Sequence, residues 1–427
     1  MDKLTAFYQL IDPLKPLEAT EQDLYVDWQK ALGADDVKGR LIRGLARSGD
    51  LPYTRLFTGH RGCGKTTELY RVKHGLETGA APRKLFVSFV EAERWLDLAD
   101  VQPQDVVYHM VWQLLADLDA RAGIGFGLTK FKQFLGGLLD RIKTLGLEGV
   151  EISADPVSLS IALKDVPGAR AELRKLLEER LPRIYDLVNQ EVLKPAREEL
   201  RKKGYDDVLI IVDQLDRVPQ KVLHEDLTNH ESLFLDQAGI LRALDCGVLY
   251  TIPIELAYSR CRIRLRNTYG SEVLSLPVLP VLRRDGNPNK EGVRALCEIV
   301  SRRAARAGLE PGDLMDEPSL ERLCRLSGGH VRSLFVMLRE ALDRCDTLPV
   351  PPEVLERAIR AGAQNLSLPL RGAEWALLDE IRKTQAPVEG EGEALWYALQ
   401  RDLFVFCYQD EQGLWYAPNP LLDELPR

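Results

Sequence analysis

Apolar residues fall along this chain in two rhythms. Short runs at Leu56-Phe57-Thr58, 84–90 (KLFVSFV), 208–212 (VLIIV), 247–252 (GVLYTI) and 272–276 predict buried strands. Around them, apolar positions recur at helical spacing. Helices are predicted at 37–46, with Leu41, Ile42 and Leu45 to one side, from Glu68 onward, at 106–118 and at 231–245. A long charged helical stretch covers 169–203, with Leu173, Leu177, Leu181, Ile184 and Val188 as its stripe and Pro182 and Pro195 placed to start, kink or break it. Residues 123–166 read as an insertion, opened by Gly123, Gly125 and Gly127. It holds an amphipathic segment at 131–145 and a hairpin-like alternation at 150–163 around Pro156. Strands alternating with helices predict an α/β fold with a three-layer α/β/α core.

Beyond 280 the pattern turns helical. Segments 291–307, 319–326, 330–344 and 352–361 predict a four-helix lid, its second and third members joined through Ser327-Gly328-Gly329. The tail repeats the order helix, helix, hairpin, with a turn at Asp410-Glu411-Gln412-Gly413, and predicts a winged helix. The expected organisation is an N-terminal segment 1–54, a core 55–280 with its insertion at about 123–205, a lid 281–366 and a winged helix 367–427.

Composition adds limits. The 427 residues exceed one simple core, and 45% apolar with 29% charged content is ordinary for a globular protein. A net charge of −8 does not favour wholesale nucleic-acid binding, although it leaves local basic patches open. Seven scattered cysteines without a C-x-x-C pair predict a reduced, cytoplasmic protein with neither disulfides nor zinc. His224 and His230 are expected to face solvent. No signal-peptide pattern opens the chain, and no apolar run approaches bilayer length, so no membrane partner is expected.

The chemistry concentrates at Gly59-His60-Arg61-Gly62-Cys63-Gly64-Lys65-Thr66, which fits G-x-x-x-x-G-K-[ST] at every fixed position, between a predicted strand and a predicted helix. Gly62 and Gly64 let successive amides turn inward on an anion, and the helix N-terminus adds positive potential. Lys65 would reach the β- and γ-phosphates, the hydroxyl of Thr66 would ligate Mg²⁺, and Thr67 completes the nucleotide-binding stretch. No N-K-x-D stretch is present, which favours ATP over GTP.

A second anchor is the apolar strand ending in Asp213, followed by Gln214-Leu215-Asp216-Arg217. A carboxylate at the C-terminal edge of a central strand lies where open α/β sheets bind ligands, and Asp213 would hold Mg²⁺ through a water. Gln214 can orient a water but cannot take its proton. Asp216 serves either as the base or as a cap of the following turn. Thr251, at the end of the next strand, stands at a polar sensor position. Arg332, one turn into the third lid helix, would reach back to the γ-phosphate. Arg260, Arg262, Arg264 and Arg266 would point one way if extended, as a trans arginine finger, a phosphate contact or a solvated edge. Residues 371–427 hold five Arg/Lys against eleven Asp/Glu, which favours protein contact or intramolecular packing there over DNA.

P-loop, Asp213, sensor-like Thr251, Gly328-Gly329-x-x-Arg332 and winged helix, in that order, resemble the AAA+-related STAND ATPases, including the NACHT and KAP groups. The origin-initiator ATPases share this general layout. Asp213-x-Leu215-Asp216-Arg217 is most similar to the KAP-type pattern. In this resemblance the segment ahead of the P-loop strand often packs on adenine, where Tyr25 and Val26 stand; ordinary packing is the other reading of the two. It implies an ATP- and Mg²⁺-dependent switch that acts through a homo-oligomer, a separate effector protein or both, in antiphage defence or signalling. With Gln214 following Asp213, hydrolysis is expected to be slow or partner-stimulated. The alternative is a DNA-binding initiator or transposition-type regulatory ATPase.

Overall fold

The computed structural model describes residues 2–28, 36–49, 51–144, 167–224, 227–310, 312–388 and 390–425, so the alternation at 150–163 lies outside it. Strands β1 (Tyr53–Gly59), β2 (Leu85–Glu91), β3 (Asp207–Asp213), β4 (Gly247–Thr251) and β5 (Leu274–Leu276) form one sheet in the order β2-β3-β4-β1-β5. The registered pairs β2–β3, β3–β4 and β1–β4 are parallel. A parallel sheet covered on both faces needs apolar side chains at successive positions, which is why β3 reads VLIIV and is buried throughout.

Phe86, Val208, Ile210, Val212, Val248 and Tyr250 point into one core with α4 (Pro103–Ala122), α5 (Phe126–Thr144), α6 (Pro167–Asp186) and α7 (Lys194–Lys202). The alternate positions Phe57, Val87, Leu209, Ile211 and Leu249 are equally buried on the other face, as are Val72 and Leu76 of α3 (Lys65–Glu77). The core is therefore the three-layer α/β/α arrangement of a P-loop NTPase. Helix α4 opens with a capping box between Gln102 and Asp105, has Pro103 in its first turn, and stops at Gly123 with φ 66°. Pro182 stays inside α6 and Pro195 sits in the first turn of α7. Between them Leu187–Leu193 widens into π-type turns.

Three local expectations change. Residues 262–269 form a helix, α8 (Arg262–Tyr269), stopped by Gly270 with φ 66°, and not an extended strip. Burying Leu265 and Tyr269 on one side demands the helical period, which fans the arginines around the axis. Arg262 and Arg266, one turn apart, both approach Glu272, while Arg264 turns to Asp236. His230 is buried with Nε2 2.9 Å from the Val218 carbonyl, whereas His224 is exposed as expected. The helix expected at 231–245 divides into a π-type segment, Ser232–Asp236, and a short helix, Ala238–Leu241.

The chain folds as two compact units. One comprises Met1–Val37, Gly59–Arg71 and Ser275–Arg427; the other comprises Lys38–Thr58 and Val72–Leu274. The first carries α1 (Lys3–Leu10) and the four lid helices α9 (Lys290–Arg306), α10 (Glu317–Leu326), α11 (Val331–Leu342) and α12 (Pro352–Ser367). It ends in α13 (Gly372–Thr384), α14 (Glu393–Arg401) and the antiparallel hairpin β6 (Val405–Asp410) and β7 (Gly413–Pro418), the order of a winged helix.

Candidate nucleotide-binding site

The loop between β1 and α3 has Gly59, Gly62 and Gly64 at φ 150°, 88° and 102°, conformations that residues with a Cβ rarely adopt. A Cβ on Gly62 would lie 2.7 Å from Cβ of Arg332 and 2.8 Å from Nε2 of His330, so the lid helix requires glycine there. A Cβ on Gly64 would meet open space. Lys65 is buried, and its ammonium donates to the carbonyls of Gly59 at 2.7 Å and His60 at 2.9 Å. A buried cation held by carbonyl dipoles, at a helix N-terminus bordered by open space, fits a phosphate oxyanion.

Two histidines fasten this loop. Nε2 of His60 accepts the Cys407 amide of β6 at 2.9 Å. His330 caps α11: its Nδ1 accepts the Ser333 amide at 3.2 Å, which leaves Nε2–H to donate to the Arg61 carbonyl at 2.6 Å. The ring of Phe406 meets His60 edge-on at 5.8 Å and stacks on His330 at 5.7 Å. Both imidazoles are held neutral. Burial, then the neighbouring His330 and Lys65, bring His60 to about 3, and burial is the largest cause bringing His330 to about 4. Cys63, also buried, directs its thiol toward the Leu276 carbonyl.

The N-terminal segment crosses the same unit. The Thr67 hydroxyl accepts the Leu17 amide at 3.1 Å, and Nε of Arg332 donates to the Pro13 carbonyl at 3.0 Å. Arg332 is thus beside Gly62 in the loop, and its guanidinium engages this strap. Tyr25 takes part in ordinary packing. Its hydroxyl donates to Glu68 at 3.0 Å and its ring carries the Arg71 guanidinium at 3.4 Å.

At the C-terminal edge of the sheet, Phe57 lies opposite Thr251, Val212 opposite Tyr250, and Glu91 opposite Asp213. The register brings Asp213 and Thr251 to one strand-end row, both fully buried, with Thr251 Oγ1 3.5 Å from the Val212 carbonyl. Gln214 sits at φ 71°; its amide donates to Asp213 Oδ1 at 2.8 Å and its side-chain oxygen accepts the Glu93 amide at 3.2 Å. That second bond directs the carboxamide to the turn Ala92–Trp95. Asp216 is buried within the turn Leu215–Arg217. Glu91 is the residue that sequence reading missed. It lies far from Asp213 in sequence, and only the strand register makes it a neighbour.

No family model matches the chain, and no curated protein matches it. Among solved structures it is similar to the ORC2 protein of Aeropyrum pernix, with 16% identity over 97% of this chain and 96% of that one and a TM-score of 0.44. It is also similar to the Walker-type ATPase paby2304 of Pyrococcus abyssi, at 13% identity over 97% and 99% of the two chains, TM-score 0.45. A third is Cdc6p of Pyrobaculum aerophilum, at 13% identity over 97% and 94%, TM-score 0.41. Likeness this distant assigns no activity. Among the described residues, no helix is long and apolar enough to cross a membrane.

Proposed function

We propose that this chain is an ATP-binding, ATP-hydrolysing switch whose P-loop reports its occupancy to the winged hairpin. The observation that carries the reading is the grip on the loop: His60 on the Cys407 amide, His330 on the Arg61 carbonyl, and Phe406 against both rings. A triphosphate that draws Lys65 off the carbonyls of Gly59 and His60 acts on the residue whose ring holds the Cys407 amide and next to the Arg61 carbonyl that His330 holds, so occupancy would be felt at both grips.

In this reading the loop amides of 59–67 and Lys65 hold the phosphates. Thr66 and Asp213 are the residues that would hold Mg²⁺, which offsets phosphate charge when bound. Glu91, Asp216 and Gln214 are the groups available to orient or deprotonate the attacking water. Glu91 is the strongest base candidate, because it is a carboxylate facing Asp213 across the ladder. Thr251 and Arg332 would respond to the γ-phosphate. Control of a separate effector or a homo-oligomer, as in the STAND group, fits the acidic tail. A second reading, a DNA-bound initiator-type ATPase, is favoured by the exposed arginines of α2 (Val37–Arg47).

The test is equilibrium ATP·Mg²⁺ binding with turnover on the same samples. Wild type binds and hydrolyses ATP; Lys65→Ala loses binding; Glu91→Gln keeps binding and loses turnover. Equal binding by wild type and Lys65→Ala would remove the proposal.

A further inference from the structure

Helix α2 is buried along Val37, Leu41 and Leu45. Its opposite face presents Arg40, Arg43 and Arg47, all exposed, at spacings of three and four residues. With Arg55 of β1 they line a groove of about 270 Å³, closed by Glu272 and Leu274. Glu272, the carboxylate in this lining, is already engaged by Arg262 at 3.7 Å and Arg266 at 3.4 Å. Four arginines against one carboxylate line the groove, on a chain whose net charge is −8.

We propose that this groove binds the phosphodiester backbone of a nucleic acid. Its cationic lining is all arginine, whose planar fork matches phosphate oxygens two at a time. The helical rise sets the three α2 arginines about 4.5 and 6 Å apart along the axis. Such a row serves successive phosphates and exceeds what one small anion needs. Leu41 and Leu45 are 1% exposed, so the groove offers no apolar wedge for a lipid surface. The contacts reach backbone and not base edges, so binding is independent of sequence. This inference gives a site to the second reading above and stands apart from the ATP-switch reading, because none of these residues belongs to the P-loop or the strand-end row.

The test uses the full chain and a fluorescent duplex in anisotropy titrations between 50 and 200 mM salt. With three to four phosphates engaged, the logarithm of affinity falls against the logarithm of salt with a slope of about −3. Arg43→Glu/Arg47→Glu weakens binding at least tenfold at 50 mM salt. Glu272→Gln tightens it, a gain that a misfolded variant cannot give. ATP binding, measured on the same samples, is unchanged in both variants, which separates this site from the nucleotide site. Three results overturn the proposal: no salt-dependent duplex binding, duplex affinity unchanged in a folded Arg43→Glu/Arg47→Glu protein, or equal competition by polyglutamate or tripolyphosphate at matched charge.

Discussion

At the scale of single residues, the site depends on which side chains are charged. His60 and His330 stay neutral when folded, near 3 and 4, while an unfolded imidazole titrates near 6.5. Below about pH 6.5 the unfolded chain takes up protons that the folded one refuses. Their contribution is therefore complete above 6.5 and is lost as pH falls toward the folded values, by about 1.4 kcal/mol per pH unit for each histidine. Urea midpoints at pH 7 and pH 5 should show this loss, and His330→Gln should flatten it by about one proton. The P-loop residues and Asp213 were legible in the sequence because their spacing is local. The partnership of Glu91 with Asp213 was not, because it arises from strand register. Replacing Glu91 by Gln should lower turnover at least a hundredfold with ATP affinity within about threefold, the effect of losing a general base.

At the scale of elements, strand composition was the most readable signal. β3 is apolar because neighbouring strands and helices cover it on every side. At 260–266 the alternating arginines would share one side only if extended; residues 262–269 are helical, with Leu265 and Tyr269 buried one turn apart. The exposed row of α2 was present in the sequence at positions 40, 43 and 47, on the reverse of the apolar stripe that located the helix. The turn before α11 shows a constraint that sequence alone conceals. Gly328 and Gly329 have φ 64° and 83°, and a Cβ would come within 2.3 Å of the Phe406 ring at Gly328 and 1.7 Å of the Leu279 carbonyl at Gly329. Gly329→Ala is expected to destabilise by roughly 2–4 kcal/mol through overpacking together with the left-handed backbone. Denaturant unfolding of this variant beside Gly312→Ala, whose Cβ meets nothing within 4 Å, isolates the packing component.

At the scale of the whole molecule, the proposal is that a nucleotide site and a winged hairpin act as one device. The order of elements was readable from the sequence, and so was the acidic character of the tail. The physical link between loop and hairpin was not, since Cys407 and His60 are 347 residues apart and meet only in the fold. If the link works as proposed, Phe406→Ala should still bind ATP yet lose the effect of ATP on the tail's protease sensitivity. The most direct measurement is hydrogen exchange at the amides of 405–408 with and without saturating ATP·Mg²⁺, using Lys65→Ala as control. At least a tenfold change in exchange at Cys407 is expected in wild type and none in Lys65→Ala. Stoichiometric ATP binding that leaves exchange at Cys407 unaltered would contradict it.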